Sequence, residues 1–288
     1  MKSALRRVVQ RVVLHDSVNR AFEHTVGRTA DYLRVQRRVA ETAEINRFLQ
    51  KQIPNNHVLT GPFAGLAYPA LTAIGSALYP KLLGTYENEL HEALDIILRT
   101  EFDQIVDIGC AEGYYAVGLA RRFPQTPVFA FDLNPAARES CRRMAEFNDA
   151  ARSLTVEAFC NPAHLASLCS TKRNLVISDC EGFEEHLFSP EHIHAYANSS
   201  LVIEIHDFFG RPLGDPIKAA LTRTHSVITI SALPTERKIQ AISDSHIRKL
   251  PDWEQKMLVS EQRPEGMYWI VATPNSANGG RTEVGSKA

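Results

Sequence analysis

Asp103-Gln-Ile-Val-Asp-Ile-Gly-Cys-Ala-Glu-Gly-Tyr-Tyr115 is the stretch that decides the fold. Ile105 to Ile108 is a short apolar run, the pattern of a strand buried on both faces. Gly109, Cys110, Ala111, Glu112 and Gly113 then form a tight loop, and a helical pattern starts near Tyr114. Strand, small-residue loop and helix make a corner that cradles a nucleotide. Glycine lets the backbone approach a ligand, and the first helical turn offers N–H groups without intrahelical partners. Gly109 and Gly113 have GxxxG spacing, without the third glycine of the dinucleotide fingerprint. Asp132 lies 25 residues beyond Asp107, at the end of the next apolar run. A carboxylate there can accept hydrogen bonds from both hydroxyls of a ribose.

Outward from this corner, the rest of the chain alternates between two periods. Residues 113–123 read as a helix with Val117, Ala120 and Phe123 inward. Asn134-Pro135 is a helix start, Asn as N-cap and Pro at the first helical position, and that helix runs to about Asn148. Ser189-Pro190 is another start. Thr85 is expected to N-cap a helix whose inward face is Leu90, Leu94, Ile97 and Leu98. Further strands are expected at 128–133, 155–159, 174–178, 201–205, 225–230 and 267–272. This predicts an α/β fold: a Rossmann-like, seven-stranded, mostly parallel sheet with helices on both faces, plus an N-terminal helical appendage.

Three segments are expected. Residues 1–83 form a helical and loop appendage available as a substrate cap, 84–273 the catalytic domain, and 274–288 a disordered tail rich in Asn, Gly and Ser. Residues 1–50 carry ten Lys/Arg against five Asp/Glu. Within them Ala30 to Leu49 has a helical rhythm, with Tyr32, Val35, Val39 and Ala43 recurring three and four apart, as in a helix covering the domain. Pro54, Gly61-Pro62, Gly65 and Pro69 break up the next stretch. Phe63, Leu66 and Tyr68 there are expected to anchor loops on the core, with a cap over a pocket as the second reading.

The composition excludes some classes. Lys plus Arg is 32 against 33 Asp plus Glu, a net charge of −1. No global basic surface points to nucleic acid, and no such partner is expected. The five cysteines, Cys110, Cys141, Cys160, Cys169 and Cys180, include no CxxC pair. That suits a reducing, cytoplasmic setting. No run approaches 18 apolar residues, so no membrane partner is expected. Lys2, Arg6 and Arg7 precede no apolar core or small-residue cleavage site, so no signal peptide is read. A homodimer is left open.

Val106-Asp-Ile-Gly-Cys-Ala-Glu-Gly113 together with Phe129-Ala-Phe-Asp-Leu133 resembles the motifs of class I S-adenosylmethionine-dependent methyltransferases. The resemblance spans roughly residues 84 to 273. Ser178-Asp-Cys-Glu-Gly182 and Leu201-Val-Ile-Glu-Ile-His206 resemble the FkbM-like branch. The resemblance implies an antiparallel last strand and S-adenosylmethionine as cofactor. It implies that Asp107 organises the methionyl end, with Tyr86 and Glu87 touching the same end. Gly109, Ala111 and Gly113 would allow close backbone approach, Asp132 and Leu133 would border the ribose, and Phe159 and Cys160 the adenine.

The implied activity is methyl transfer to a small-molecule acceptor, at a hydroxyl oxygen, with His206 and Asp179 as the catalytic pair. No Asn-Pro-Pro-Tyr motif of N-methylating relatives is present. Asp179, Glu204, His206 and Asp207 carry donor atoms for a metal. Mg²⁺ is open but not favoured, because strand alternation sets Glu204 and His206 apart from Asp207. The alternative is a non-catalytic module that binds S-adenosylmethionine or a nucleotide for regulation.

Overall fold

A computed structural model describes Arg47 and residues 56–207, 212–242, 247–261, 263 and 266–275. The chain divides into two compact units, Met1–Pro54 and Asn55–Ala288. The helix expected over Ala30–Leu49, Arg47 apart, and the tail beyond Asn275 lie outside the described residues.

The second unit holds a seven-stranded sheet: β1 (Gln104–Ile108), β2 (Val128–Phe131), β3 (Leu154–Glu157), β4 (Asn174–Ser178), β5 (Ser200–Ile205), β6 (His225–Ser231) and β7 (Tyr268–Pro274). Their spatial order is β3-β2-β1-β4-β5-β7-β6. β1 to β5 pair in parallel, and β7 runs antiparallel to both β5 and β6. Helices cover both faces. They are α1 (Leu78–Leu83), α2 (His91–Ile97), α3 (Tyr114–Arg122), α4 (Pro135–Phe147), α5 (Pro162–Cys169), α6 (Glu184–Leu187), α7 (Gly214–Leu221), α8 (Thr235–Ala241) and α9 (Asp252–Val259). Every residue of β1, β4 and β5 is buried, as their unbroken apolar runs require. The edge strand β3 alternates between half-buried and exposed positions.

The corner after β1 is built as its sequence demands. Gly109 and Cys110 donate their N–H groups to the Phe131 carbonyl after β2, at 2.8 and 3.0 Å, and Asp179 donates to the Ile108 carbonyl at 2.8 Å. β1 therefore sits between two diverging connections, and a crevice opens beyond its C-terminal end. Gly109 has φ +88, and a Cβ there would lie 1.7 Å from the Asp179 carbonyl oxygen. Asn134 caps α4 through Ala136 N–H at 2.9 Å, with Pro135 first in the helix.

Three local expectations change. Thr85 caps no helix. Gly84 ends α1 in the left-handed conformation, Glu87 is left-handed at φ +47, and only a 3₁₀ turn, Asn88–Leu90, leads into α2. Two reversals within four residues leave no room for the extra turn, although Leu90, Leu94, Ile97 and Leu98 are buried as expected. Ser189-Pro190 opens a single 3₁₀ turn, Ile193–Tyr196, because β5 begins at Ser200. Residues 56–83, assigned by sequence to the appendage, belong to the compact unit of the sheet. Phe63, Leu66 and Tyr68 are core side chains in it.

The close approach at Gly109 is testable. Gly109→Ala should lower unfolding stability by more than about 3 kcal/mol, since overpacking adds to left-handed strain. Gly75→Ala, at φ +70 with open space around its Cβ, should cost only about 1–2 kcal/mol of strain. Equal losses in urea titrations would show that the backbone contact is unimportant.

Candidate functional site

The C-terminal ends of β1, β2 and β4 open into a cavity of about 330 Å³. Its size and mixed lining suit a nucleotide-sized ligand. Asp132 lines it and also shapes it. One carboxylate oxygen accepts from Ala111 N–H at 2.9 Å and the other from Asn134 N–H at 2.8 Å. Each oxygen keeps a second lone pair for a ligand hydroxyl. Gly109 and Ala111 lie along the same wall; Gly113 caps α3 behind it. Leu133 and Phe159 are 73 % and 48 % exposed and form an apolar rim. The Phe159 ring leans on Phe183 at 5.6 Å. Cys160 is buried beside them, and burial pushes its thiol up to about 12, so it stays protonated.

Asp107 is buried in the same cavity, and its Oδ2 has no hydrogen-bond partner among the described residues. Burial pushes its carboxyl up to about 7. Asp179 and Asp132 add to the shift, and Lys81 opposes it. A buried, unsatisfied acceptor is costly, and this one belongs to the lining of the cavity. Tyr86 and Glu87 also line the cavity and are buried. Glu87 is already engaged, bonded by Tyr115 Oη and Arg263.

A second, polar cavity of about 150 Å³ shares Tyr86, Asp179, Glu181 and Glu204 with the first and adds His206 and Arg263. His206 is buried at the end of β5. Its Nδ1 lies 2.9 Å from Glu184 Oε1, while Nε2 faces Asp179 Oδ1 at 3.5 Å and Glu181 Oε2 at 3.6 Å. Burial works against the imidazolium, but the three carboxylates outweigh it and hold the His206 pKa above its ordinary value. Burial pushes Asp179 up to about 6 against the pull of His206. Glu204 is pushed up to about 10 by burial and by its acidic neighbours, so it carries a proton at neutral pH. Arg263 gathers Glu87, Glu204, Glu261 (2.8 Å) and the Tyr86 hydroxyl (3.1 Å).

The structure thus brings together Asp107, Asp132, Asp179, Tyr86 and Glu87, with His206 one cavity further on. It reassigns part of the expected metal set. Glu204 is taken by Arg263. Asp207 accepts from Tyr268 Oη at 2.8 Å and from the N–H groups of Leu213 and Gly214, at the start of α7. Donor atoms of Asp179, Glu181 and His206 lie within 4.8 Å of one another. An imidazole in that trio suits a transition ion better than Mg²⁺, which prefers oxygen. Sequence reasoning missed Lys81, Glu112, Glu184 and Arg263. Only Glu184 had a local signal, three residues after Glu181 in the turn beyond β4.

The sheet order, with β7 reversed between β5 and β6, and the acid-tipped β2 beside a glycine loop match a Rossmann-like methyltransferase fold. No family model matches the chain. It is 33 % identical over 167 residues to the release factor glutamine methyltransferase of Deinococcus radiodurans, covering 55 % of this chain and 56 % of that protein. The chain therefore spans little more than half the length of this curated relative. Among solved structures it matches the O-methyltransferase TomG of Streptomyces achromogenes in complex with SAM. The TM-score is 0.41 at 13 % identity, over 54 % of this chain and 76 % of that one. It also matches a precorrin-6y C5,15-methyltransferase of Geobacter metallireducens, with TM-score 0.38 and 16 % identity over 64 % and 88 %. Among the described residues, no helix is long and apolar enough to cross a membrane.

Asp107 gives a prediction with opposite signs for stability and binding. Its folded pKa, about 7, exceeds the ordinary 3.8. The ionised group therefore destabilises the fold, increasingly from pH 4 to 7 and fully above that. Asp107→Asn should raise the Tm of the ligand-free protein at pH 8, by about 2–4 °C for each kcal/mol recovered, and leave it unchanged near pH 4. The same variant should weaken S-adenosylhomocysteine in calorimetry. Unchanged Tm at pH 8 would mean that the carboxylate is not strained.

Proposed function

We propose that this chain transfers a methyl group from S-adenosylmethionine to a hydroxyl oxygen of a small molecule held in the second cavity. The observation that carries the proposal is the Glu184–His206–Asp179 relay at the wall shared by the two cavities. The residues present fit the cofactor. Asp107 Oδ2 is an unsatisfied buried acceptor for an ammonium, Asp132 has lone pairs left for ribose hydroxyls, and the Leu133–Phe159 rim offers apolar faces to a base. When bound, S-adenosylmethionine supplies an electrophilic methyl group on a sulfonium.

The chain's own residues do the rest. The adjoining cavities align the acceptor with the methyl donor, which is the larger part of such catalysis. Asp179, with its carboxyl near 6, is ionised at neutral pH and basic enough to take up the acceptor's proton. His206, oriented by Glu184 at 2.9 Å, keeps Asp179 charged and turned to the shared wall. Arg263 holds Glu87 and Glu261 and hydrogen-bonds neutral Glu204, so their charge does not compete for the acceptor. The Ser178-Asp-Cys-Glu-Gly182 turn supports a place in the FkbM-like branch, and a reducing cytoplasm suits its five thiols.

The test is release of S-adenosylhomocysteine from S-adenosylmethionine across a panel of hydroxylated and amine-bearing small molecules. Turnover should appear with hydroxyl acceptors, rising with pH through about 6. Asp179→Asn should cut it about 10²–10⁴-fold, and His206→Ala should lower it too, with S-adenosylhomocysteine affinity of His206→Ala within about twofold of wild type. Tight cofactor binding without turnover on any acceptor would favour the non-catalytic module. Turnover abolished by a chelator and restored by a divalent ion would assign Asp179, Glu181 and His206 to a metal.

A further inference from the structure

The methionyl end of the main cavity contains more chemistry than the acid after the first strand. Lys81, on α1, is buried at 3 % exposure and lines the cavity. Its ammonium donates to Glu112 Oε1 at 2.7 Å and to Ser76 Oγ at 2.7 Å. It also stands over the Tyr86 and Tyr114 rings, 4.8 and 5.3 Å from their centroids. An ammonium has three donors, so one N–H is left for a ligand. Glu112 is fully occupied in turn, by Lys81, by Tyr68 Oη at 3.2 Å and by Ile74 N–H at 3.0 Å. The pair is a fixed strut rather than a mobile surface contact.

Tyr114, the first residue of α3, lines the same cavity. Its hydroxyl is buried and has no partner among the described residues. Burial keeps that hydroxyl protonated, and hence a donor. Asp107 Oδ2 is the orphaned acceptor of the same cavity. One small volume therefore presents an unsatisfied anionic acceptor, an unsatisfied neutral donor and a buried cation. A sugar or base can offer neutral donors and acceptors to part of that set, but no opposite charge for its cation and its carboxyl. An α-amino-acid terminus matches all of it, with an ammonium for the acceptor and a carboxylate for the donors.

We propose that Lys81 and Tyr114 form the carboxylate half, and Asp107 the ammonium half, of a receptor for the zwitterionic end of the bound adenosyl compound. This deepens the methyltransferase reading and rests on it. The three groups are positioned by different elements, α1, α3 and β1. The receptor is therefore complete only when residues 78–83 are docked on the corner after β1. It also makes the cavity selective: an adenosyl compound without the amino-acid end leaves one Lys81 N–H, the Asp107 carboxyl and the Tyr114 hydroxyl unmatched, which binding sites reject strongly.

Calorimetric titration of the full chain with three ligands tests this. S-adenosylhomocysteine carries both charged groups, its decarboxylated analogue keeps only the amine, and 5′-methylthioadenosine has neither. Wild type should bind them in that order, with a step of about tenfold or more at each loss. Tyr114→Phe and Lys81→Met should each weaken S-adenosylhomocysteine by about tenfold and leave the decarboxylated analogue within about twofold. Because Lys81→Met strands the Glu112 charge, Lys81→Met/Glu112→Gln is titrated alongside, and Tyr114→Phe alters no charge at all. Equal wild-type affinity for all three ligands, or equal loss for both in the variants, would overturn the receptor while leaving the methyltransferase reading intact. If none of the three ligands binds, both are overturned.

Discussion

A buried guanidinium holds this site in place. Arg263 joins Glu87, ahead of α2, to Glu204 at the end of β5 and to Glu261 after α9, while lying over the Tyr86 and Trp269 rings. Without it, two or three buried acids would face one another across the floor of the second cavity. Removing one partner of a buried ion pair is more costly than the pair itself is stabilising. Lys238 does the same work one layer out, between Glu89 at 3.1 Å and Glu261. The sheet could form without either cation, but the cavities could not keep their acid-rich walls.

The balance of charge there explains why the titrating groups stand where they do. Burial and its acidic neighbours hold the Glu204 carboxyl well above the ordinary range even with Arg263 beside it. Asp179 remains a carboxylate because His206 faces it, and His206 remains oriented because Glu184 bonds its other nitrogen. Each member is set by its neighbour, so the three act as one unit rather than as separate acids and bases.

Much of the fold was legible in the sequence, and for a specific reason. β1, β4 and β5 are buried on both faces, so their apolar runs had no competing explanation, and their ends fell within a residue of expectation. Asn134-Pro135 and the Gly109–Gly113 loop were equally local signals. The failures were long-range or conformational. Nothing near Thr85 announces the left-handed Glu87 that cuts its helix short. Lys81 and Glu112 are 31 residues apart, and Arg263 and Glu87 are 176 apart. A charged side chain reads as a surface residue until its partner is known. Phe159 and Leu133 line the cavity, but their exposure could not be inferred from an apolar identity.

β1 divides the crevice into two sides. The β2–β3 side holds Asp132, Leu133 and Phe159, and the β4–β5–β7 side holds Glu204, His206 and, beside them, Arg263. Tyr86, Asp179, Glu181 and Glu204 border both. Substitutions in the second half can therefore change what it accommodates while the Asp132 side of the crevice stays as it is. The shared residues limit how far such change can go before the two halves lose their alignment.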